Sequence, residues 1–326
     1  MMRHVIAAWA FGLSLAYPLG AQEMDIRSLR VSRAVSGSDT SLMHVNITYG
    51  VGTLTVEPSA TPVLYDARLV YPADRATPVA TFDQASRTLA LGIKKRNFDV
   101  PGKDSEGVLH VQVARGVPLD LSLQIGATDA TLNLGGLAVH SLTLKGGATE
   151  ATLRFDSANT IRMESMDLKV GAADFHARGL ANARAKHIAI KGAAGDIDLS
   201  FDGTWSNDVT LDSRVYFGHM RIHVPPNIQV YSTAKAILGE VSDAGDHLAA
   251  AAADTSDDSD NSDSSDMQDM GDMGDSSKMV KAHPHPHPAP MPVVHQGPTY
   301  TLRISGSATI GSLEIMHDAP LQTSSH

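Results

Sequence analysis

The sequence predicts an all-β protein: a stacked β-rung, β-solenoid-like repeat domain interrupted by one long disordered insert. Three observations predict it. Glycine-led units recur through the centre of the chain, at Gly126, Gly147, Gly171 and Gly192, so the starts lie 21, 24 and 21 residues apart. A fixed period of this size marks a repeat architecture. Apolar and polar residues alternate on both sides of each glycine, the periodicity of a half-buried strand. One stretch, Asp243 to Pro298, loses that periodicity altogether.

The repeat units justify the core. Leu121, Leu123 and Ile125 share one face ahead of Gly126, and Leu132 and Leu134 follow it. Leu153 with Phe155, and Leu199 with Phe201, recur at the same phase in later units. Slipping the register by one residue would expose the whole apolar set, so the register is well specified. Each unit therefore reads as strand, tight turn, strand, with glycine supplying positive φ and the following acid satisfying local N–H groups.

The other elements follow in order. Residues 1–21 have the layout of a signal peptide: Arg3 and His4, an apolar run from Val5 to Ala16, then small residues up to Ala21. Residues 22–39 form an N-terminal lead in which Ile26 to Val35 is expected as a short helical turn. The repeat domain is expected over 40–316. Met43 to Val56 reads as a strand pair around Gly50-Val51-Gly52, with further strands at Thr88 to Ile93 and Val108 to Val113. Lys94 to Gly107 reads as a loop. Asp208 to Asp212, Met220 to Val224 and Gln229 to Thr233 read as strands. The insert 243–298 combines low hydrophobicity with high charge and is expected to be disordered. Thr299 to Met316 restores the alternation as a final strand pair, so the insert lies within the domain, and 317–326 is a flexible tail.

Composition narrows the chemistry. The chain has no cysteine, which excludes disulfides, thiolate nucleophiles and Cys-bound metal. Its formal charge is −10, and Asp243 to Lys281 carries eleven Asp and two Lys, leaving the rest of the chain near neutrality. Nothing in the linear sequence forms a basic stripe, so nucleic acid is not an expected partner. No stretch of the mature chain is apolar enough to span a bilayer, and the expected location is the periplasm or the cell exterior.

Several segments resemble a known family. Phe217-Gly-His-Met-Arg-Ile-His-Val-Pro-Pro-Asn-Ile-Gln-Val230, followed by Ile237-Leu-Gly-Glu-Val241, is similar to a block of LiaF-type cell-wall-active-antibiotic-response proteins, the toastrack domains. Tyr49-Gly-Val-Gly-Thr-Leu-Thr-Val56 with Leu64-Tyr-Asp-Ala67 resembles the N-terminal portion of the same group. The resemblance covers about residues 40–241 and 299–316. It implies stacked β-rungs, a role in envelope sensing or scaffolding, and no catalytic residues to carry over. The chain departs from the family in having a signal peptide where family members often carry membrane helices. The insert is also foreign to the pattern.

Candidate chemistry is sparse. Asp129, Glu150, Asp174 and Asp196 form an acid ladder if the rungs stack in register, a structural feature of the turns or a seat for a cation. His219 and His223 share a strand face, with His176 within reach of the same region. There is no Ser-His-Asp arrangement, Gly-x-Ser-x-Gly elbow or His-Glu-x-x-His motif, so no enzyme activity is expected. In the insert, Met267, Met270 and Met273 are spaced three apart, followed by Met279, His283, His285, His287, Met291 and His295. Thioethers select Cu(I), while imidazoles suit Cu(II) and zinc. Apart from copper or zinc held there, no cofactor is expected. The leading expectation is a non-catalytic envelope binding or scaffold module with a protein or glycan partner. The alternative is metal binding by the insert, against a plain solubilising loop. If the insert binds metal, deleting residues 254–295 abolishes copper and zinc binding in a titration; equal binding by both proteins removes the idea.

Overall fold

The computed structural model describes residues 25–35, 41–95, 107–243 and 299–317. In chain order the strands are β1 (Ile26–Ala34), β2 (Met43–Pro58), β3 (Val63–Pro72), β4 (Ala76–Asp83), β5 (Thr88–Lys95), β6 (Gly107–Val113), β7 (Pro118–Asn133) and β8 (Ala138–Gly146). They continue with β9 (Thr149–Arg154), β10 (Met163–Arg178), β11 (Ala185–Ser200), β12 (Val209–Val224), β13 (Gln229–Ser232), β14 (Lys235–Asp243) and β15 (Thr301–His317). All join one sheet, and there is no helix among the described residues. The signal-peptide layout, the insert from 244 onward and the tail from 318 lie outside the described residues.

The strands stack as rungs. Six of them, β2, β7, β10, β11, β12 and β15, each run through a bend as one long strand. Three rungs are split at the same level into two shorter strands: β5 with β6, β8 with β9, and β13 with β14. The stack runs β5/β6, β2, β7, β8/β9, β10, β11, β12, β15, β13/β14, with parallel pairing throughout. Antiparallel strands occur at one end, where β4 lies on β5 and β3 and then β1 lie beyond β6.

Two local expectations are corrected here. Ile26–Ala34 is a strand, not a helical turn: Leu29 and Val31 alternate onto the core, and the pattern has no stripe for a helix to bury. The glycine-led units are bends within a rung, inside the strand in β7, β10 and β11 and between β8 and β9 in the split rung, not tight turns that reverse the chain. In β7 the buried positions are Leu119, Leu121, Leu123 and Ile125 before the bend, then Thr128, Ala130 and Leu132 after it. The parity of burial flips between Ile125 and Thr128. The backbone rotates there, and both arms of the rung face one interior. For the same reason the expected strand pairs at Met43 to Val56 and Thr299 to Met316 are each a single bent strand.

The glycines serve close approach. Gly126, Gly147, Gly171 and Gly192 do not take positive φ. A Cβ on Gly171 would stand 2.7 Å from the Gly147 carbonyl oxygen, and one on Gly192 would stand 2.5 Å from Cδ1 of Ile197, which packs across the bend. A second column carries the strained backbone: Gly195 pairs with Gly218, Gly218 with Gly311, and Gly311 with Gly239. A Cβ on Gly218 would fall on the carbonyl oxygen of Gly195, and φ there is 128°.

Inside, apolar side chains pile up in columns. Val45, Leu121, Leu142, Met166, Ile188, Leu211 and Ile304 are successive ladder partners, all buried. Phe155, Phe175 and Phe201 are also fully buried. Between rungs, Asn159 is buried and fully used: its Oδ1 accepts from the Val139 N–H at 2.8 Å, and its Nδ2 donates to the Val139 and Ile161 carbonyls. Asn182 repeats the device one rung on, donating to the Phe155 carbonyl and accepting from the Thr204 N–H. Polar side chains satisfied this way tie the rung connections together.

The glycine column yields a test. Gly218→Ala combines positive φ with a backbone collision and should cost more than about 3 kcal/mol of stability. Gly116 also has positive φ, but nothing stands within 4 Å of its would-be Cβ. Gly116→Ala should cost only about 1–2 kcal/mol. Urea unfolding of both variants checks the difference, and equal losses would remove the collision argument.

Candidate binding surface

Register turns residues far apart in sequence into straight outward columns. Strands neighbour one another at roughly 4.8 Å, so every column is a line of side chains at that spacing. On the arm after the bend, Asp129 pairs with Glu150 and Glu150 with Asp174. Ala172↔Ala194 and Phe175↔Ile197 bring Asp174 level with Asp196. The four acids therefore do form one ladder. It continues upward to Thr53 and downward to His219 and Ser312, where His219 Nδ1 and the Ser312 hydroxyl are 2.8 Å apart. Three of the carboxylates stand in bent strands and Glu150 on the short strand β9; Asp196 is the most covered of the four.

The next outward column of the same arm runs His110, Thr55, Thr131, Thr152, His176, Asp198, Arg221. Asp198 is held between His176 at 3.1 Å and Arg221 at 3.3 Å. His176 thus lies two rungs from β12 and in a different column from both His219 and His223; the structure does not bring these three histidines together. Among the described residues no three His, Asp or Glu side chains are grouped so as to hold a metal ion. Met267, Met270, Met273, Met279, His283, His285, His287, Met291 and His295 lie outside the described residues.

The arm before the bend carries a column that linear reading missed. Gln124 pairs with Lys145, Lys145 with Lys169, Lys169 with Lys191, and Lys191 with Arg214. Four cations stand in line, all exposed. The expectation of no basic stripe fails on this face because register assembles it from residues more than twenty positions apart. A signal was present: each cation precedes the ladder acid or histidine of its unit by five residues, as Lys145 precedes Glu150, Lys169 Asp174, Lys191 Asp196 and Arg214 His219.

Two more features mark the outer face. Near the capped end, Asp120 accepts hydrogen bonds from the Ser141 hydroxyl at 2.6 Å and from His140 at 2.9 Å, with His44 at 3.3 Å. Burial pushes the Asp120 carboxyl up, but these hydrogen bonds and the two imidazoles outweigh it and hold it below the usual carboxylate range. Near the other end, Phe217, Ile310 and Leu238 are ladder partners and stand exposed beside Ile237, which is 72% exposed.

Residues 22–164 match the family model described as the N-terminal domain of toast_rack, DUF2154. Over these residues the chain is similar to the toastrack N-terminal domain. That match takes in the antiparallel cap and the rungs up to the first residues of β10, and the same register continues beyond it to β15. The narrower LiaF-type likeness rests on the sequence motifs alone. No curated protein sequence matches the chain. Solved structures similar to this chain include a candidate cell adhesion protein from Clostridium sporogenes, at 13% identity and a TM-score of 0.39, covering 90% of this chain and 100% of that one. A candidate adhesin from Bacteroides fragilis is 9% identical, with a TM-score of 0.40 and coverage of 89% and 97%. One from Parabacteroides distasonis is 10% identical, with a TM-score of 0.35 and coverage of 90% and 98%.

Asp120 makes the stack acid-sensitive. Its folded-state value is depressed, so the unfolded chain binds the extra proton; the stabilisation is present above the ordinary carboxylate value near pH 4 and is lost as pH falls through the depressed one. Glu57, held down by hydrogen bonds from Gln112 and His110, adds in the same direction. Asp120→Asn should lower stability at neutral pH and flatten the loss below about pH 4. Urea midpoints between pH 2 and pH 7 measure this; an unchanged acid limb would exclude Asp120 as a contributor.

Proposed function

We propose that this toastrack chain is a non-catalytic, exported envelope module that binds an extended partner along its outer face. One observation carries the reading. The outward side chains are arranged as straight, repeating columns across parallel rungs, while the interior is filled by apolar side chains. Catalysis needs a few groups converging on one reacting atom, whereas a column repeats one group at a constant step. A surface of that kind suits a partner that repeats too.

The sequence supports the location. Arg3 and His4 ahead of an apolar run, with small residues before Gln22, support export. The absence of cysteine suits a protein whose stability depends on packing alone. A metal-handling role would rest on the Met and His residues of 267–295, and the copper and zinc titration of the deletion variant decides it.

The expected behaviour is direct. Purified mature protein should co-sediment with isolated cell envelopes, and prolonged incubation should release no soluble sugar. Release of reducing or unsaturated sugar ends would replace the binding reading with an enzymatic one. Failure to co-sediment would end it.

A further inference from the structure

We infer that the column Lys145, Lys169, Lys191 and Arg214 is a binding site for a linear acidic polysaccharide lying along the stack axis. The inference rests on the binding reading above and names its ligand class. Three observations carry it.

The first is geometric. The four cations occupy four consecutive rungs and are direct ladder partners. Their spacing is therefore the strand spacing of roughly 4.8 Å. One sugar unit of an extended glycan has nearly that length, so a uronic-acid polymer would carry one carboxylate for each rung it crosses, and the long lysine and arginine side chains can reach to either side of it.

The second is energetic. Like charges directly opposite one another destabilise a sheet. Here three such pairs follow in succession: Lys145–Lys169, Lys169–Lys191 and Lys191–Arg214. Other cations of the same sheet are neutralised within the chain: Arg30 by Asp66, Lys186 by Glu164, and Arg221 by Asp198. None of the four ladder cations forms an ion pair with a described residue. A local rule broken repeatedly with no internal compensation is what a functional surface leaves behind.

The third is the flanking charge. Across the bend, the ladder of Asp129, Glu150, Asp174 and Asp196 lies five residues further along each rung. At about 3.3 Å per residue the two ladders stand more than one screening length apart, which is about 8 Å at physiological salt. The acids do not neutralise the cations, but they repel a polyanion that strays over the bend and so confine it to the cationic line. On the other flank, Asp167 and Asp212 lie one column away. Asp212 is engaged by His187 at 3.4 Å and by the Ser305 hydroxyl.

The test uses the full mature protein, with polygalacturonate as the probe and neutral dextran, inorganic polyphosphate and a single-stranded oligonucleotide as comparisons. Polygalacturonate should bind, more weakly as salt rises, and dextran should not. The variant K145Q/K169Q/K191Q/R214Q should bind about thirtyfold more weakly, four exposed charge contacts each contributing about two- to threefold. Removing like-charge repulsion should leave its urea midpoint equal or higher, so loss of binding is not loss of fold. The variant D129N/E150Q/D174N/D196N should bind as well as the parent or better. Undiminished binding by the lysine and arginine variant overturns the site, and tighter binding of polyphosphate or the oligonucleotide than of polygalacturonate overturns the glycan assignment. Self-association lost equally in both quadruple variants would instead make a second copy the occupant. Envelope co-sedimentation that persists without polygalacturonate binding sinks this inference alone; loss of both sinks the underlying reading.

Discussion

Parallel, in-register contact between successive bends is the constraint on which the rest of the stack depends. At the bend one rung's backbone passes so close to the next that no side chain fits between them. Gly218 against Gly195, Gly311 against Gly218 and Gly239 against Gly311 are backbone resting on backbone. With that seam closed, each rung must take the same angle as its neighbour, and both arms are aimed at one interior. The buried leucines, isoleucines and phenylalanines then align without individual specification. Burial at about 25 cal/mol per Å² of apolar surface supplies the driving force, but the glycine seam decides where it is spent.

The same seam makes the exterior periodic. A residue at one place in a unit has its counterpart in the next unit directly beside it, whatever its chemistry. Cations line up with cations, acids with acids and threonines with threonines. Where opposite charges meet instead, as at Asp198 between His176 and Arg221, the stack gains local ties of modest worth. The exterior is therefore free to vary by column while the interior is held constant, and binding properties can be altered without disturbing the fold.

The sequence made the columns legible only in part. Alternation placed Leu121, Leu123, Leu132, Phe155 and Phe201 inside because burial follows strand periodicity directly. The acid ladder was visible because its members follow a repeated glycine. The role of that glycine was not, since Gly-x-x-Asp has the local chemistry of a tight turn, and only the neighbouring rung reveals that steric access is the requirement. The cationic line escaped for a related reason. Its members are scattered singly along the chain, so a search for clustered basic residues passes over them, although each precedes the ladder position of its unit by five residues. Strand β1 was misread because a nine-residue edge segment with few apolar residues carries little periodic signal.

The place of β15 has a consequence for how the molecule is made. Although it is the last of the described strands, it lies between β12 and the rung formed by β13 and β14, which find their ladder partners on it. Growth of the stack cannot simply follow the order of synthesis. Once β12 has docked, β13 and β14 have no neighbour to lie against until residues 301–317 arrive, so that end of the stack closes only when β15 is present. A chain cut short before Thr301 would leave the margin of β12 bare, ready to take an extended segment from another molecule.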